Sequence, residues 1–260
     1  VDMLVGSANA ATFTWTHGGV VTDWNDPNNW DANGVPPQTT PGTEIVYSAI
    51  TSGNISSANS VNDSNKVTVG KVSWSSNFNM HSFGSWNSTA TGWFIDTGTS
   101  DPAEFTFSNG GFMSNYYGTW NLNSDLLLSG TGAGGGLEVH AAGNGVVGTG
   151  GFIVESGTLR FNGTHTGHDY SYSGGVTVRN TGVVDVNKLN EQLGEGALTV
   201  EEGGQVQLLA QNLDNNADMI NLVVLSAGAP TPTNTPFMTG SPTFVSDFYF
   251  DLTSAGTTLG

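Results

Sequence analysis

The sequence contains no cysteine, and this absence removes several kinds of chemistry at once. A chain without thiols forms no disulfide framework, binds no metal through thiolates and uses no cysteine nucleophile. The absence of cysteine does not by itself fix the cellular compartment.

Basic residues are also scarce, because 5 Lys and Arg stand against 22 Asp and Glu and give a formal net charge of −17. A nucleic acid needs a basic face and an anionic membrane surface attracts basic segments, so neither is an expected partner. Charged residues make up 10% of the chain, where about 25% is usual. The surface is instead solvated by uncharged polar residues, with 31 Thr, 26 Asn and 25 Ser. The 13 Phe and 7 Trp supply the apolar area that an acidic disordered chain lacks, so the chain should fold.

Long apolar runs are absent too, and no stretch approaches the roughly 20 residues that span a bilayer. We therefore expect no membrane span. Residues 3–10 read like the tail of a secretory signal, with small Ala8 and Ala10 ahead of a cut before Ala11. Either an export signal lay further upstream and these residues are a retained arm, or the resemblance is accidental. The expected location is secreted, either extracellular or at the cell surface.

Helix signals are scarce, whereas short runs of alternating apolar and polar residues occur throughout and are bounded by Gly, Asn or Ser. The chain is therefore predicted to be nearly all β. Composition divides it into an N-terminal arm, a Trp-rich region with irregular coils, a Gly-rich region with regular coils, and a Pro/Thr strap with a C-terminal strand. These regions cover residues 1–11, 12–120, 121–212 and 213–260.

An internal repeat is the most informative feature of the sequence. Residues 152–161, 176–186 and 198–208 each read as a strand, a Gly-containing corner and a second strand. Equivalent positions recur after about 22 to 25 residues, which is the length of one turn of a β-solenoid. Period-two alternation points twelve apolar residues inward. They are Phe152, Val154, Leu159, Phe161, Val176, Val178, Val184, Val186, Leu198, Val200, Val206 and Leu208.

The outward columns of the three coils test this register, because side chains on neighbouring coils lie about 4.8 Å apart and like charges there would repel. One column reads Glu155, Arg179, Glu201, and the other reads Arg160, Asp185, Gln207. Both arginines of the chain thus fall beside carboxylates. Conformational freedom or close backbone approach is expected at the corner glycines, Gly157, Gly182 and Gly204.

These repeats resemble a known family. The run from Ser156 to Gly167, then Ser173-Gly-Gly-Val-Thr-Val and Leu193-Gly-Glu-Gly-Ala-Leu-Thr-Val, is similar to the autotransporter-associated β-strand repeat of bacterial surface proteins. The opening segment, with Trp15, Trp24-Asn-Asp-Pro-Asn-Asn-Trp30 and Gly34-Val-Pro-Pro, resembles the tryptophan-rich start common in such secreted proteins. The resemblance implies a right-handed parallel β-helix, export from a bacterial cell and a role at the surface.

Several residue groups are candidates for a site. Asp23, Asp26 and Asp31 offer oxygen ligands suited to calcium, or else form turns in which Asx side chains bind their own backbone. Trp15, Trp24 and Trp30 form either a sugar-stacking platform or, as we favour, a cover over the open end of the solenoid. The segment His165-Thr-Gly-His168 lies in a loop between two coils, where a solvated loop is a better reading than a metal or catalytic site.

No enzyme activity is predicted, because no column of the three coils holds two acids on adjacent turns. The leading hypothesis is an extracellular structural protein, a subunit of a surface filament, sheath or surface layer. The alternatives are a surface adhesin or glycan-binding module, with cell-surface polysaccharide as partner, and, behind it, a polysaccharide-active enzyme.

The leading hypothesis makes copies of the chain itself the expected partner, joined through solenoid ends or donated strands. The candidate segments are an apolar arm and a C-terminal strand with one apolar face. If they are not donated, both fold back and cap their own chain. The assembly candidates are Val1, Met3, Leu4, Val5, Phe244, Phe248, Phe250 and Leu252.

Overall fold

The structure of this chain is a computed structural model. It describes residues 11–16, 18, 24–31, 34–37, 39–47, 66–75, 80–81, 92–108, 110, 112–115, 119–131, 135–139, 145–161, 170–186, 193–208, 223–225 and 250–251. Within these ranges the chain forms eighteen β-strands and one short 3₁₀ helix, Pro27–Asn29. The prediction of a nearly all-β chain is confirmed.

The strands are short except for two that run through a corner of the fold. They are β1 Thr12–Trp15, β2 Glu44–Tyr47, β3 Lys66–Val69, β4 Lys71–Trp74, β5 Met80–His81, β6 Gly92–Ile95, β7 Ala103–Phe107, β8 Phe112–Asn115, β9 Thr119–Leu122, β10 Leu126–Gly130, β11 Gly136–Val139, β12 Val146–Gly148, β13 Phe152–Phe161, β14 Val176–Val186, β15 Leu198–Val200, β16 Gln205–Leu208, β17 Val223–Leu225 and β18 Phe250–Asp251.

The strands stack into three faces of one solenoid. The main face stacks β1, β2, β4, β7, β10, β13, β14, β15, β17 and β18 in that order, and we number these strands as rungs one to ten. The second face stacks β5, β8, β11, the C-terminal halves of β13 and β14, and β16. The third face stacks β3, β6, β9 and β12. Every strand pairing among the described residues is parallel, so the predicted parallel β-solenoid is confirmed.

The register of the three repeats is the one predicted. Val154 pairs with Val178, which pairs with Val200, and the second strands align Leu159 with Val184 and Val206. Ten of the twelve predicted inward side chains are buried, while those of Val186 and Leu208 lie outside the described side chains. The predicted inward and outward sides of these coils are therefore confirmed.

The corner glycines differ in what they provide. Gly157 has a positive φ of 78°. A Cβ on Gly182 would lie 2.2 Å from the Val154 carbonyl oxygen, and one on Gly204 would lie 2.4 Å from the Val178 oxygen. Such distances exclude a side chain, so close backbone approach requires glycine at both positions. The additional residue of the middle coil is absorbed by a bulge near Asn180, whose φ is 56°.

Coil length is less regular than the repeats suggest. On the main face Thr177 aligns with Thr199, whereas Lys71 aligns with Glu104 and Thr12 aligns with Glu44. The last two of these coils are about one and a half times as long as the first. The rungs still stack in register, because the additional residues lie in the connections between strands.

The interior of the N-terminal coils is aromatic. Trp15, Tyr47, Trp74 and Phe107 occupy equivalent inward positions on rungs one to four, and all four side chains are buried. On the third face, the rings of Trp93 and Trp120 stack at a centroid distance of 5.8 Å. Large rings thus fill the solenoid where the coils are longest.

Candidate functional site: the capped edge and the outer main face

The first edge of the main face is closed by the chain itself. In a parallel ladder alternate residues bond to opposite neighbours, so Thr14 and Thr16 direct their backbone groups away from β2. The Thr14 N–H donates to Asp31 Oδ2 at 3.1 Å, and its carbonyl accepts from the Asp31 N–H at 2.9 Å. The Thr16 N–H donates to the Asn29 carbonyl at 2.7 Å. These bonds satisfy groups that would otherwise form an open sheet edge.

Three tryptophans hold this closing segment in place. Trp15 and Trp30 form an isolated antiparallel bridge, and their rings meet edge to face at 5.0 Å. Trp24 packs on Trp30 at 4.5 Å, and the Trp30 indole N–H donates to the Trp24 carbonyl at 2.7 Å. All three side chains are at most 4% exposed. A sugar would reach these rings only if the cluster opened.

Two of the three calcium candidates, Asp26 and Asp31, take part in the same cap. Asp26 Oδ1 accepts from the backbone N–H of Asn28 at 2.9 Å and from its side-chain amide at 2.8 Å, at the start of the 3₁₀ helix. Asp31 binds Thr14 as described above, while Asp23 lies outside the described residues. In the part of the chain that the structure describes, no three His, Cys, Asp or Glu residues are grouped to hold a metal ion.

Each described basic side chain that forms an ion pair lies in a ladder of opposite charges. On the main face Lys71 Nζ lies 3.6 Å from Glu44 Oε1 on the preceding rung and 3.6 Å from Glu104 Oε2 on the following rung. The Lys71 and Glu104 side chains are 42% and 47% exposed, so this ladder is solvated and each pair contributes little stability. Sequence reasoning missed this ladder, because its members are unequally spaced along the chain and follow no fixed period.

The second face carries a more buried ladder. Arg160 Nη1 lies 3.3 Å from Glu138 Oε2, and Arg160 Nε lies 2.9 Å from Asp185 Oδ2. The two carboxylate side chains are only 9% and 6% exposed, and the guanidinium also covers the Phe112 ring at 4.6 Å. Burial lowers the pKa of Arg160, but its bonds and charge interactions with Asp185 and Glu138 outweigh this and raise the pKa. The predicted neighbour Asp185 is confirmed, and Glu138 is an additional partner.

The third ladder was predicted from the repeats. Arg179 Nη2 lies 3.2 Å from Glu155 Oε1 on the preceding rung, and both side chains are more than a third exposed. Glu201 follows on the next rung, with its N–H bonded to the Val178 carbonyl. The ion pair formed by Arg179 in the described residues is therefore the one with Glu155.

Between the two exposed ladders, the outer main face is uncharged. Two columns of half-exposed side chains cross rungs three to eight. The first column, in rung order, is Lys71, Glu104, Leu127, Ile153, Thr177 and Thr199. The second column is Ser73, Thr106, Ser129, Glu155, Arg179 and Glu201. Leu127 and Ile153 thus form an apolar centre flanked by hydroxyls and charges.

Most of the assembly candidates and the two loop histidines lie outside the described residues. Val1, Met3, Leu4, Val5, Phe244, Phe248 and Leu252 are not among the described residues, and neither are His165 and His168. Phe250 belongs to β18, where it pairs with Val223 of β17 in the same chain. This strand therefore extends the chain's own main face.

Comparison with known proteins adds no identification. Neither a scan of protein-family models nor searches of curated proteins and of solved structures found a match to this chain. The resemblance to the autotransporter-associated repeat therefore stays a prediction. The class that fold and site define is a parallel β-solenoid with a closed first edge. Among the described residues of this chain, no helix is long and apolar enough to cross a membrane.

Proposed function

We propose that this protein is a non-catalytic structural subunit of an extracellular or cell-surface assembly, such as a filament, sheath or surface layer. The observation that carries the proposal is the main face, on which ten parallel rungs keep one register from Thr12 to Asp251. Nine spacings of about 4.8 Å give a stack on the order of 43 Å long. A stack of this kind is an elongated body with extended sheet faces, and a structural subunit can use these faces to contact its neighbours.

The placement of carboxylates supports a structural role. Hydrolytic sites on sugars use paired carboxylates, one of them raised in pKa. Here Glu44 and Glu104 are separated by Lys71, and Glu138 and Asp185 are separated by Arg160. Each of these acids is engaged by a neighbouring cation, and among the described residues none is paired with a second free carboxylate across the ladder.

The closed first edge limits how copies can join. The backbone groups of Thr14 and the N–H of Thr16 are already bonded to residues 29–31, so that edge does not template a strand from another copy. Contacts between copies then use other surfaces of the solenoid. The net charge of −17 opposes any such contact at low ionic strength, because like charges repel over a Debye length.

Sedimentation velocity over a wide range of protein concentration tests the proposal. The full chain should be measured in about 0.15 M salt, where charges are screened beyond about 8 Å, with and without calcium and without any glycan. Assembly that grows with concentration, with regular particles in negative-stain micrographs, is the expected result. A protein that stays monomeric at the highest concentration but binds polysaccharide would refute the proposal and favour an adhesin.

A further inference from the structure

The outer main face has a pattern that matches itself after rotation. A two-fold axis can be drawn along the strand direction, between rung five, β10, and rung six, β13. Rotation about it places rung five of one copy over rung six of another, rung four over rung seven, and rung three over rung eight. Because the axis follows the strands, each column faces the same column of the second copy.

The centre of the rotated arrangement is apolar. Leu127 of each copy faces Ile153 of the other, so the two apolar side chains of each face cover those of the second copy. Both side chains are partly exposed in the single chain. Removing them from water together is the favourable term in this contact.

The charged residues around this centre meet hydroxyls. In the rotated arrangement every charge of the two columns lies opposite a Ser or Thr of the second copy, so none faces a like charge directly. The facing pairs are Lys71 with Thr199, Glu104 with Thr177, Thr106 with Arg179, Ser129 with Glu155, and Ser73 with Glu201.

The nearest charge of the second copy has the opposite sign for Lys71, Glu104, Arg179 and Glu201, whereas the two copies of Glu155 lie one rung apart across the axis. Glu104 on rung four lies across from rung seven, where Arg179 occupies the adjacent column two residues along the strand. Lys71 on rung three lies across from rung eight, where Glu201 occupies the adjacent column. Complementary charges of this kind fix the register of an interface more than they add affinity.

We propose that the outer main face is a self-association surface that pairs with a second copy of this chain, centred on Leu127 and Ile153. The rungs of the two copies stack in opposite directions, so the solenoid axes are antiparallel while the strands run the same way. The proposal rests on the structural role proposed above and specifies its contact. Such a contact is isologous, since the same patch is used by both copies, and it closes as a pair. Larger assemblies would need a further contact.

The pair is expected to be weak. Six rungs of about 4.8 Å and four residues of about 3.3 Å cover on the order of 400 Å² per copy. Standard interfaces bury about 800 Å² per partner. Association is therefore expected only at high protein concentration, or where copies are already held together by other contacts.

The variant Ile153→Arg tests the centre of the contact, with Asn121→Arg as its matched control. Both positions point outward from strands and are half-exposed, but Asn121 lies on the third face. Ile153→Arg should raise the concentration needed for pairing at least tenfold in sedimentation equilibrium, and Asn121→Arg should leave it unchanged. If Ile153→Arg fails to fold, Ile153→Thr keeps a β-branched strand former and should weaken pairing in the same direction.

A spin-label distance tests the orientation. The sequence has no cysteine, so Thr12→Cys gives one label per chain, on rung one and outside the contact. Antiparallel pairing separates the two labels by nine rung spacings, or about 44 Å when a sheet separation of about 10 Å is included. Side-by-side parallel pairing would place them about 10 Å apart and would overturn the proposal.

The outcomes separate this inference from the structural role. Assembly that persists unchanged in Ile153→Arg overturns the proposed contact and leaves the structural role standing. Absence of any assembly in the unmodified chain overturns both. Loss of pairing in Ile153→Arg alone, together with the distance of about 44 Å, supports both.

Discussion

Val178 and Arg179 are neighbours in the sequence but lie on opposite sides of the main face. Val178 is fully buried, whereas Arg179 is more than a third exposed. Val178→Asp would place a carboxylate in the apolar interior, so we expect a loss of several kcal/mol in the free energy of unfolding. Arg179→Ala should cost about 0 to 1 kcal/mol, because its ion pair is solvated. Denaturant unfolding measures both changes, and equal losses would contradict the assigned sides.

Arg160 provides the counterpart on the second face. Its partners Glu138 and Asp185 are nearly buried, unlike Glu155 beside Arg179. Removing the cation leaves two nearly buried carboxylates that water solvates poorly, so Arg160→Ala should cost about 2 to 4 kcal/mol. Comparison with Arg179→Ala under the same denaturant conditions provides the control. Similar losses for the two variants would show that burial does not strengthen the Arg160 ladder.

Tyr47 is a buried tyrosine whose hydroxyl has no hydrogen-bond partner among the residues that the structure describes. Burial raises the pKa of Tyr47 well above its ordinary value of 10.0, and burial together with the charge of Tyr170 does the same for the pKa of Tyr172. The unfolded tyrosines ionise near pH 10 while the folded ones stay neutral. Ionisation of these two tyrosines therefore does not affect the stability of the fold below pH 10. Above pH 10 it favours the unfolded chain, and stability is lost as the pH rises towards the folded pKa.

The variant Tyr47→Phe removes this hydroxyl and keeps the ring that packs on Trp74 at 5.2 Å. We expect it to stabilise the fold by about 1 kcal/mol at neutral pH, because an unpaired buried hydroxyl is lost. Thermal unfolding followed from pH 7 to 11 should also show a smaller alkaline decline than in the unmodified chain. Destabilisation at neutral pH would mean that the hydroxyl has a favourable role.

At the scale of elements, the cap over β1 protects a sheet edge. Trp30→Ala would release the segment that binds the Thr14 backbone, and it should cost about 3 to 5 kcal/mol. Trp74→Ala removes an equally buried ring from rung three but leaves the edge closed. Thioflavin-T fluorescence under native conditions should therefore show edge-to-edge aggregation for Trp30→Ala in excess of that for Trp74→Ala. Equal aggregation would indicate that general destabilisation, and not the edge, is responsible.

The regular coils could be predicted from the sequence because three conditions coincide there. Their lengths stay within about 22 to 25 residues, their inward residues are aliphatic or Phe, and opposite charges align on the outward side. A register shifted by one residue would have turned Val154 and Val178 to solvent. The residue pattern alone therefore specified the pairing of β13 with β14 and β15.

The N-terminal coils could not be aligned in the same way. Their rungs are unequally spaced along the chain between Thr12 and Leu127, so no period connects Glu44, Lys71 and Glu104. Glu138 is a different case, because it precedes Arg160 by one regular coil length and the same period would have found it. The edge bonds of Asp31 depend on chain reversal through residues 24–31, which no periodic pattern reports.

At the scale of the whole molecule, both proposals depend on one continuous stack of parallel rungs. The outer main face exists only if Lys71 and Thr199 lie on the same surface, five rungs apart. The closed first edge limits how copies can join only if β1 is the first rung of that same stack. The resemblance to bacterial surface repeats and the proposed assembly add to this claim but do not replace it.

The most direct test of the stack is the distance between spin labels at Thr12→Cys and Thr199→Cys in one chain. The doubly labelled protein is diluted with unlabelled protein so that only distances within a chain are measured. Thr12 and Thr199 lie on rungs one and eight, so seven spacings of about 4.8 Å predict a narrow distribution centred at about 34 Å. A broad distribution, or a distance below about 20 Å as in a sheet folded back on itself with faces about 10 Å apart, would contradict the continuous solenoid.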